Sequence, residues 1–441
     1  MLTRIKLFIF ILMKDDKMTE LFKKLITDFQ ERDLNFIERD YNIPINSKKI
    51  ISLIGVRRSG KTYILYQIIS KLRKKGLNRN IIYISFEDER LTGLSYRNLN
   101  EIIEAYFELF PEKRDEKIYI FFDEIQEVKH WEKFVRRIYD SLNANIFLTG
   151  SSSKLLSKEI ATSLRGRTIT YEIFPLSFKE YLKFRDIQIN LYSSKSISFI
   201  KKNLENYLLQ GGFPEIALEE NEDVIVRTLR DYVDLIVYRD VIERYGIKNL
   251  SLLKLLIKYI FSNPATLISI SKLYNDFKSM GYKLSKDTLF EYFEYLSDAY
   301  TLFTTSIFRS SVKEEQRNPK KVFIIDNGFN YIYNTSFSPD YSKLYENSVF
   351  LHLRRKYPEI YYFKEKKEVD FYIPAERLLI NVSYDISERK TFQREINSLI
   401  EGMRYLNLKK AYLVTSDREK EIEIDGYKIY IKPLWKWLLS Y

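Results

Sequence analysis

Between Lys49 and about Thr170, short apolar runs alternate with stretches whose apolar residues recur every three to four positions. Residues 50–54 form the first run and end at Gly55, and Ile64, Leu65, Ile68, Ile69 and Leu72 then fall on one face of a helix. Strand is predicted again over 81–86, 118–122 and 145–149, with helices over 101–110 and 131–142 between them. Strands that are apolar on both faces and separated by amphipathic helices predict a parallel sheet covered by helices on each side. After Pro175 the pattern is helix-rich to about residue 300, broken by polar stretches at 193–196, 211–214 and 263–264. Residues 269–308 read as helix, turn, helix and then a strand over 302–308. From Tyr341 helix and strand mix once more, with strands expected at 360–363, 369–373, 378–382 and 411–414.

A length of 441 residues suggests about three domains at ~150 residues each. An apolar fraction of 45% with 30% charged residues fits a folded globular chain, because it can bury enough apolar surface to offset its conformational entropy. The absence of cysteine excludes disulfides, cysteine nucleophiles, iron–sulfur clusters and thiolate zinc sites. Two histidines, His130 and His352, cannot build a multi-histidine metal site and give a Ser–His–Asp arrangement little support. The apolar run at 7–13 is far short of the ~20 residues of a membrane span and lacks a small-residue cleavage site. Residues 1–20 are therefore expected to be an extension, or translation starts at Met13 or Met18. No membrane segment and a cytoplasmic location are expected.

Gly55-Val56-Arg57-Arg58-Ser59-Gly60-Lys61-Thr62 matches the eight-residue phosphate-loop pattern, and it lies between a predicted strand and a predicted helix. Its glycines let the backbone from Gly55 to Gly60 fold tightly, so that successive N–H groups point inward at phosphate oxygens. The following helix presents its N-terminal dipole to the same anion. Lys61 would reach the β- and γ-phosphates of ATP, and the Thr62 hydroxyl would hold Mg²⁺. Arg57 and Arg58 place further positive charge beside a triphosphate, or else face acidic groups of another element. The net charge of +12 invites a nucleic-acid reading, but residues 51–100 alone hold ten basic and three acidic side chains. Much of the excess therefore surrounds this loop.

The predicted strand 118–122 ends in Asp123-Glu124, about 60 residues after the loop. Asp123 is placed to hold Mg²⁺ and Glu124 to polarise an attacking water as general base. Thr149 and Ser151, at the end of the strand 145–149, are candidates to sense the γ-phosphate or orient water, or else cap a helix. Arg165 and Arg167 follow, and Arg167 is the candidate arginine finger, within the chain or toward a neighbouring subunit. An acceptor-phosphorylating kinase shares the loop but does not require Asp-Glu beside a water.

These motifs, with Phe121-Phe122-Asp123-Glu124-Ile125-Gln126, Leu148-Thr149-Gly150-Ser151-Ser152-Ser153-Lys154-Leu155-Leu156, and Arg167 with Phe174-Pro175-Leu176-Ser177-Phe178, resemble the archaeal and bacterial AAA-like ATPases that carry a C-terminal domain of unknown function. The likeness continues through Gly211-Gly212-Phe213-Pro214, residues 232–244 and residues 321–328. It implies an α/β fold: a P-loop parallel sheet, then a helical and winged-helix region, then a nuclease-like α/β domain. The corresponding expected boundaries are 1–20 for the extension, 21–190 for the ATPase domain, 191–335 for the helical and winged-helix region, and 336–441 for the nuclease-like domain.

The winged-helix spacing at 269–308 would suit DNA, yet Asp287, Glu291 and Glu294 would repel phosphates. In the nuclease-like part, Glu346 and Asp370 stand at expected ligand positions. The next strand, however, reads Asn381-Val382-Ser383 where a second ligand and a lysine should be. Nuclease activity is not expected, since metal-dependent hydrolysis needs both. The combined expectation is an ATP-binding, Mg²⁺-dependent hydrolase with a protein or DNA partner on its C-terminal half, and oligomerisation is compatible with it. The alternative is a switch that binds ATP with negligible turnover.

Overall fold

Residues Ile50–Ile54 (β1) are apolar at all positions but Ser52 and buried along their whole length, as a strand covered on both faces requires. They belong to a computed structural model that describes residues 2–150, 164–334 and 338–440, with side chains from residue 17 to residue 439 within these ranges. The chain divides into two compact units, residues 1–173 and 174–441.

In the first unit β1 is joined by Ile81–Ser85 (β2), Ile118–Asp123 (β3), Ala144–Gly150 (β4) and Thr168–Glu172 (β5). All pairings are parallel, in the order β2-β3-β4-β1-β5. Helices Leu2–Glu31 (α1), Lys61–Arg73 (α2), Asn100–Leu109 (α3) and Trp131–Ser141 (α4) accompany it. Ile64, Leu65 and Ile68 of α2 pack with Ile51, Leu53, Phe121 and Phe147 of the sheet and with Phe29 of α1. The helix α1 thus runs continuously through the stretch expected to be a separate extension. The edge strand β5 was not predicted: it has no apolar run, and Ile169 is 41% exposed.

The second unit begins at Phe174, not near residue 190. It contains helices Ser194–Gln210 (α5), Glu222–Leu235 (α6), Leu250–Ser262 (α7), Ile270–Ser279 (α8) and Lys286–Asp298 (α9). Strands Thr266–Ile268 (β6), Leu302–Ile307 (β7), Lys320–Ile324 (β8), Tyr361–Lys364 (β9), Glu368–Ile373 (β10), Leu378–Val382 (β11), Lys410–Thr415 (β12), Lys420–Ile424 (β13) and Tyr427–Pro433 (β14) form one sheet. Its order is β13-β14-β12-β11-β10-β9-β7-β8-β6. Helices Tyr341–Arg354 (α10) and Arg389–Tyr405 (α11) complete the later part. The regions 191–335 and 336–441, expected as separate domains, share this sheet: Ser306 and Ile307 of β7 pair in parallel with Tyr361 and Tyr362 of β9.

Two motifs more than a hundred residues apart lock together here. Asp326 accepts the Gly212 N–H at 2.7 Å and the Gly328 N–H at 2.8 Å. Burial pushes its carboxyl up to about 7 against those two bonds. Gly211 has φ +85°, and a Cβ there would stand 1.6 Å from Asp326 Oδ1, so only glycine fits.

Candidate active site

Parallel pairing brings the carboxyl ends of β1, β3 and β4 to one edge of the sheet, the edge where ligands bind in such folds. The phosphate loop leaves β1 there. Gly55 has φ +148°, and a Cβ on it would lie 2.2 Å from the Ile173 carbonyl oxygen. Gly60, in left-handed conformation, caps α2. Lys61 is buried, and its Nζ donates to the Gly55 and Val56 carbonyls at 3.1 Å each. It also stands 3.7 Å from Glu124 Oε1. Arg57 reaches out of the loop to Glu87 at 2.9 Å.

Asp123, at the end of β3, is the hub. Its Oδ2 accepts from the Thr62 hydroxyl at 2.8 Å and from the Tyr83 hydroxyl at 2.9 Å, and its Oδ1 accepts from the Thr149 hydroxyl. Burial, and then the neighbouring Glu124, push the Asp123 carboxyl up to about 6 despite these donors. Glu124 has φ 53°, a left-handed turn that swings it out of the strand, and its Oε2 accepts from Gln126 Nε2 at 2.6 Å.

The raised Asp123 value has a direct consequence for metal binding. Were Mg²⁺ held by Asp123, a carboxyl raised to about 6 would have to lose a proton before the ion bound at lower pH. Apparent Mg²⁺ affinity is therefore expected to be flat above pH 7 and to fall up to about tenfold per pH unit below 6, read by Mg²⁺ titration of nucleotide binding.

Two of the expected roles change, and one lies out of reach. Thr149 is fully buried, and its hydroxyl donates to Asp123 while accepting the Glu124 N–H at 2.9 Å. It therefore holds the two carboxylates in place. Ser151 lies outside the described residues. Arg167 is no finger for its own loop. It precedes β5, its carbonyl accepts the Ile50 N–H at 2.8 Å, and it thus sits at the amino end of the sheet. One strand length, about 17 Å, separates that end from the phosphate loop. Its guanidinium is engaged by Asp140 at 3.1 and 3.2 Å.

Three residues of the site have roles not legible in the sequence, Gln126 although it lies within a motif. Arg39 is buried, and its Nη1 donates to the Ser59 carbonyl at 2.8 Å, bracing the loop from outside. Tyr83 orients Asp123 from the adjacent strand. Gln126 holds Glu124. The parallel register that sets Ser85 beside Asp123 would have pointed to β2, though not to Tyr83 itself.

The residues present suit a Mg²⁺–triphosphate. Thr62 and Asp123 are hard oxygen donors already in contact, as Mg²⁺ prefers. The Ser59 hydroxyl, buried in the loop, has no hydrogen-bond partner among the described residues, which leaves it for an incoming anion.

A second cluster lies in the other unit. Lys321 of β8 is buried, with its Nζ 2.7 Å from Glu346, 2.9 Å from Glu368 and 2.9 Å from Asp370. Burial works against its charge, but the three carboxylates outweigh it and raise the ammonium well above the ordinary lysine value. A lysine, absent at Asn381-Val382-Ser383, thus reaches these carboxylates from an earlier strand. Asn381 bonds Glu395 and Ser398 at 2.7 Å each and accepts the Asp370 N–H at 3.1 Å, so it acts as a spacer in the hydrogen-bond network.

A family model described as an AAA domain matches residues 47–182, and one described as a domain of unknown function, DUF8612, matches residues 201–336. The chain is 41% identical over 436 residues to the uncharacterized protein MJ1544 of Methanocaldococcus jannaschii, covering 96% of both chains. It is 32% identical over 400 residues to an uncharacterized protein of Haemophilus influenzae, covering 89% of this chain and 94% of that one. Among solved structures, the Walker-type ATPase PABY2304 of Pyrococcus abyssi aligns at 16% identity and a TM-score of 0.42, over 64% of this chain and 90% of that one. No helix among the described residues is long and apolar enough to cross a membrane.

Proposed function

The chain belongs to the family of the Methanocaldococcus jannaschii protein MJ1544 and carries an AAA-type ATPase domain, and from that premise we propose that it is a Mg²⁺-dependent ATP hydrolase. The observation that carries this reading is the contact of Thr62 with Asp123 at the mouth of the phosphate loop, with Glu124 next in the chain. Lys61 and the loop amides bind the phosphates, and Arg39 holds the loop in shape. Mg²⁺, held by Thr62 and Asp123, would neutralise charge on the β- and γ-phosphate oxygens. Glu124 takes the proton of the attacking water, with Thr149 fixing its backbone and Gln126 its carboxylate.

In this proposal the nucleotide state governs a C-terminal half that binds a partner, in the cytoplasm. Helices α7–α9 with β6–β8 act as a winged helix. The exposed Asp287, Glu291 and Glu294 make α9 unsuited to DNA phosphates. Strands β9–β14 with α10 and α11 act as a nuclease-derived scaffold that does not cut, since Lys321 supplies the positive charge a metal would bring. Arg167 is available as a finger only to a neighbouring subunit, and only by leaving Asp140. A second reading, an ATP-occupancy switch with negligible turnover, is favoured by the Gln126 bond that restrains Glu124.

The test is binding of a fluorescent ATP analogue. Wild type is expected to bind with Mg²⁺ present, and Lys61→Ala to lose at least about 30-fold in affinity, because phosphate charge is left unpaired in a buried site. Equal affinity in the two proteins would refute the site.

A further inference from the structure

Where β11, β12 and β14 begin, the sheet forms an open cleft of about 500 Å³ lined by Arg377, Lys409, Lys410, Lys428 and Tyr430, with Glu376 at its edge. Its shape is fixed by backbone contacts. The Lys428 N–H donates to the Lys409 carbonyl at 2.9 Å, and Arg377 Nη2 donates to the Asn407 carbonyl at 3.1 Å. In the parallel register of β12 and β14, Lys410 stands directly beside Lys428, a like-charge pairing that costs stability unless something neutralises it. The chain supplies little. Lys428 has exposed carboxylates of β13 at 3.4 and 3.8 Å. Among the described residues no carboxylate pairs with Arg377, Lys409 or Lys410. Glu376 is turned to the Tyr357 hydroxyl at 3.0 Å. The ammonium of the exposed Lys409 lies over the Tyr427 ring, 5.1 Å from its centroid, a contact that adds no neutralising charge.

We propose that this cleft binds the phosphate groups of a phosphorylated ligand. Four cations converge on a space large enough for a nucleotide-sized group, with one aromatic ring in its wall. A fork-shaped guanidinium and several ammonium groups suit phosphate oxygens, Arg377 by two parallel bonds and the lysines as point charges. A nucleic-acid backbone and a free phosphorylated molecule offer the same chemistry, and experiment separates them. The inference does not depend on ATP hydrolysis at the phosphate loop.

The experiment uses the full chain with the phosphate loop filled by Mg²⁺ and ADP, so that failure here is distinct from failure of the ATPase reading. A labelled DNA duplex of roughly 20 base pairs and, separately, pyrophosphate are titrated over a range of salt concentrations. Lys409→Gln with Lys410→Gln, and Arg377→Gln, are compared with wild type; all three positions are exposed, and equal urea midpoints confirm an intact fold. Duplex binding that the double variant weakens by about tenfold or more, with the log–log salt slope reduced by about 2, identifies a nucleic-acid backbone as the source. Pyrophosphate binding lost in the variants, without duplex binding, identifies a free phosphorylated ligand and equally supports the site. No binding of either probe, or binding the variants leave unchanged, overturns it.

Discussion

Lys321→Met is expected to destabilise the protein by about 3–5 kcal/mol, because it breaks a buried ion cluster by removing its cation. The ammonium is 4% exposed and touches three carboxylates, one from α10 and two from β10. Methionine matches its length but leaves the largely buried Glu346 and Asp370 without their cation, and Glu368 with only Lys364 at 3.8 Å. Burial and then Asp370 already raise the Glu346 carboxyl, and without Lys321 it would rise further. The sign of the pH dependence follows. Raised native pKa values mean that the variant's folded state binds protons more tightly than its unfolded state. Its deficit should therefore be greatest above neutral pH and shrink as pH falls toward 5. Urea unfolding of both proteins at pH 8 and pH 5 measures it, and a deficit that grows on acidification would contradict this account of the cluster.

Glu124→Gln is expected to trap ATP, with turnover falling by about 10²–10⁴-fold and binding little changed. The amide fills the same space but cannot take a proton from water. Of the groups proposed to bind nucleotide, Thr62 stays on Asp123 at 2.8 Å and Lys61 stays on the loop carbonyls at 3.1 Å, losing only its 3.7 Å pairing with Glu124. The left-handed backbone at residue 124 is set by the Thr149 hydroxyl on its N–H, which the substitution does not touch. ATP retained by the variant through gel filtration, intact on subsequent analysis, is the expected readout.

The nucleotide site is largely legible in the sequence because its chemistry is local. Eight consecutive residues make the loop, and one apolar strand delivers Asp123 and Glu124 to its end. What escapes is whatever depends on contacts across the sheet. Arg39 meets the loop 20 residues away and Tyr83 meets Asp123 from 40 residues away, in segments with no pattern of their own. Arg167 is misplaced because β5, a half-exposed edge strand, gives no hydrophobic signal; without that strand, nothing shows that the arginine sits at the wrong end of the sheet. Lys321 escapes for a related reason: it reaches Asp370 from 49 residues earlier in the chain. The same kind of long-range pairing, β7 against β9, merges two regions that the family resemblance separates.

The central claim is that this site hydrolyses ATP. Its most direct test is phosphate release from ATP by the full chain at saturating Mg²⁺, wild type beside Glu124→Gln, with nucleotide binding verified for both. Mg²⁺-dependent release by wild type at least about 100-fold above the variant is the predicted result. Release by wild type no faster than by Glu124→Gln, with ATP bound to both, would contradict it.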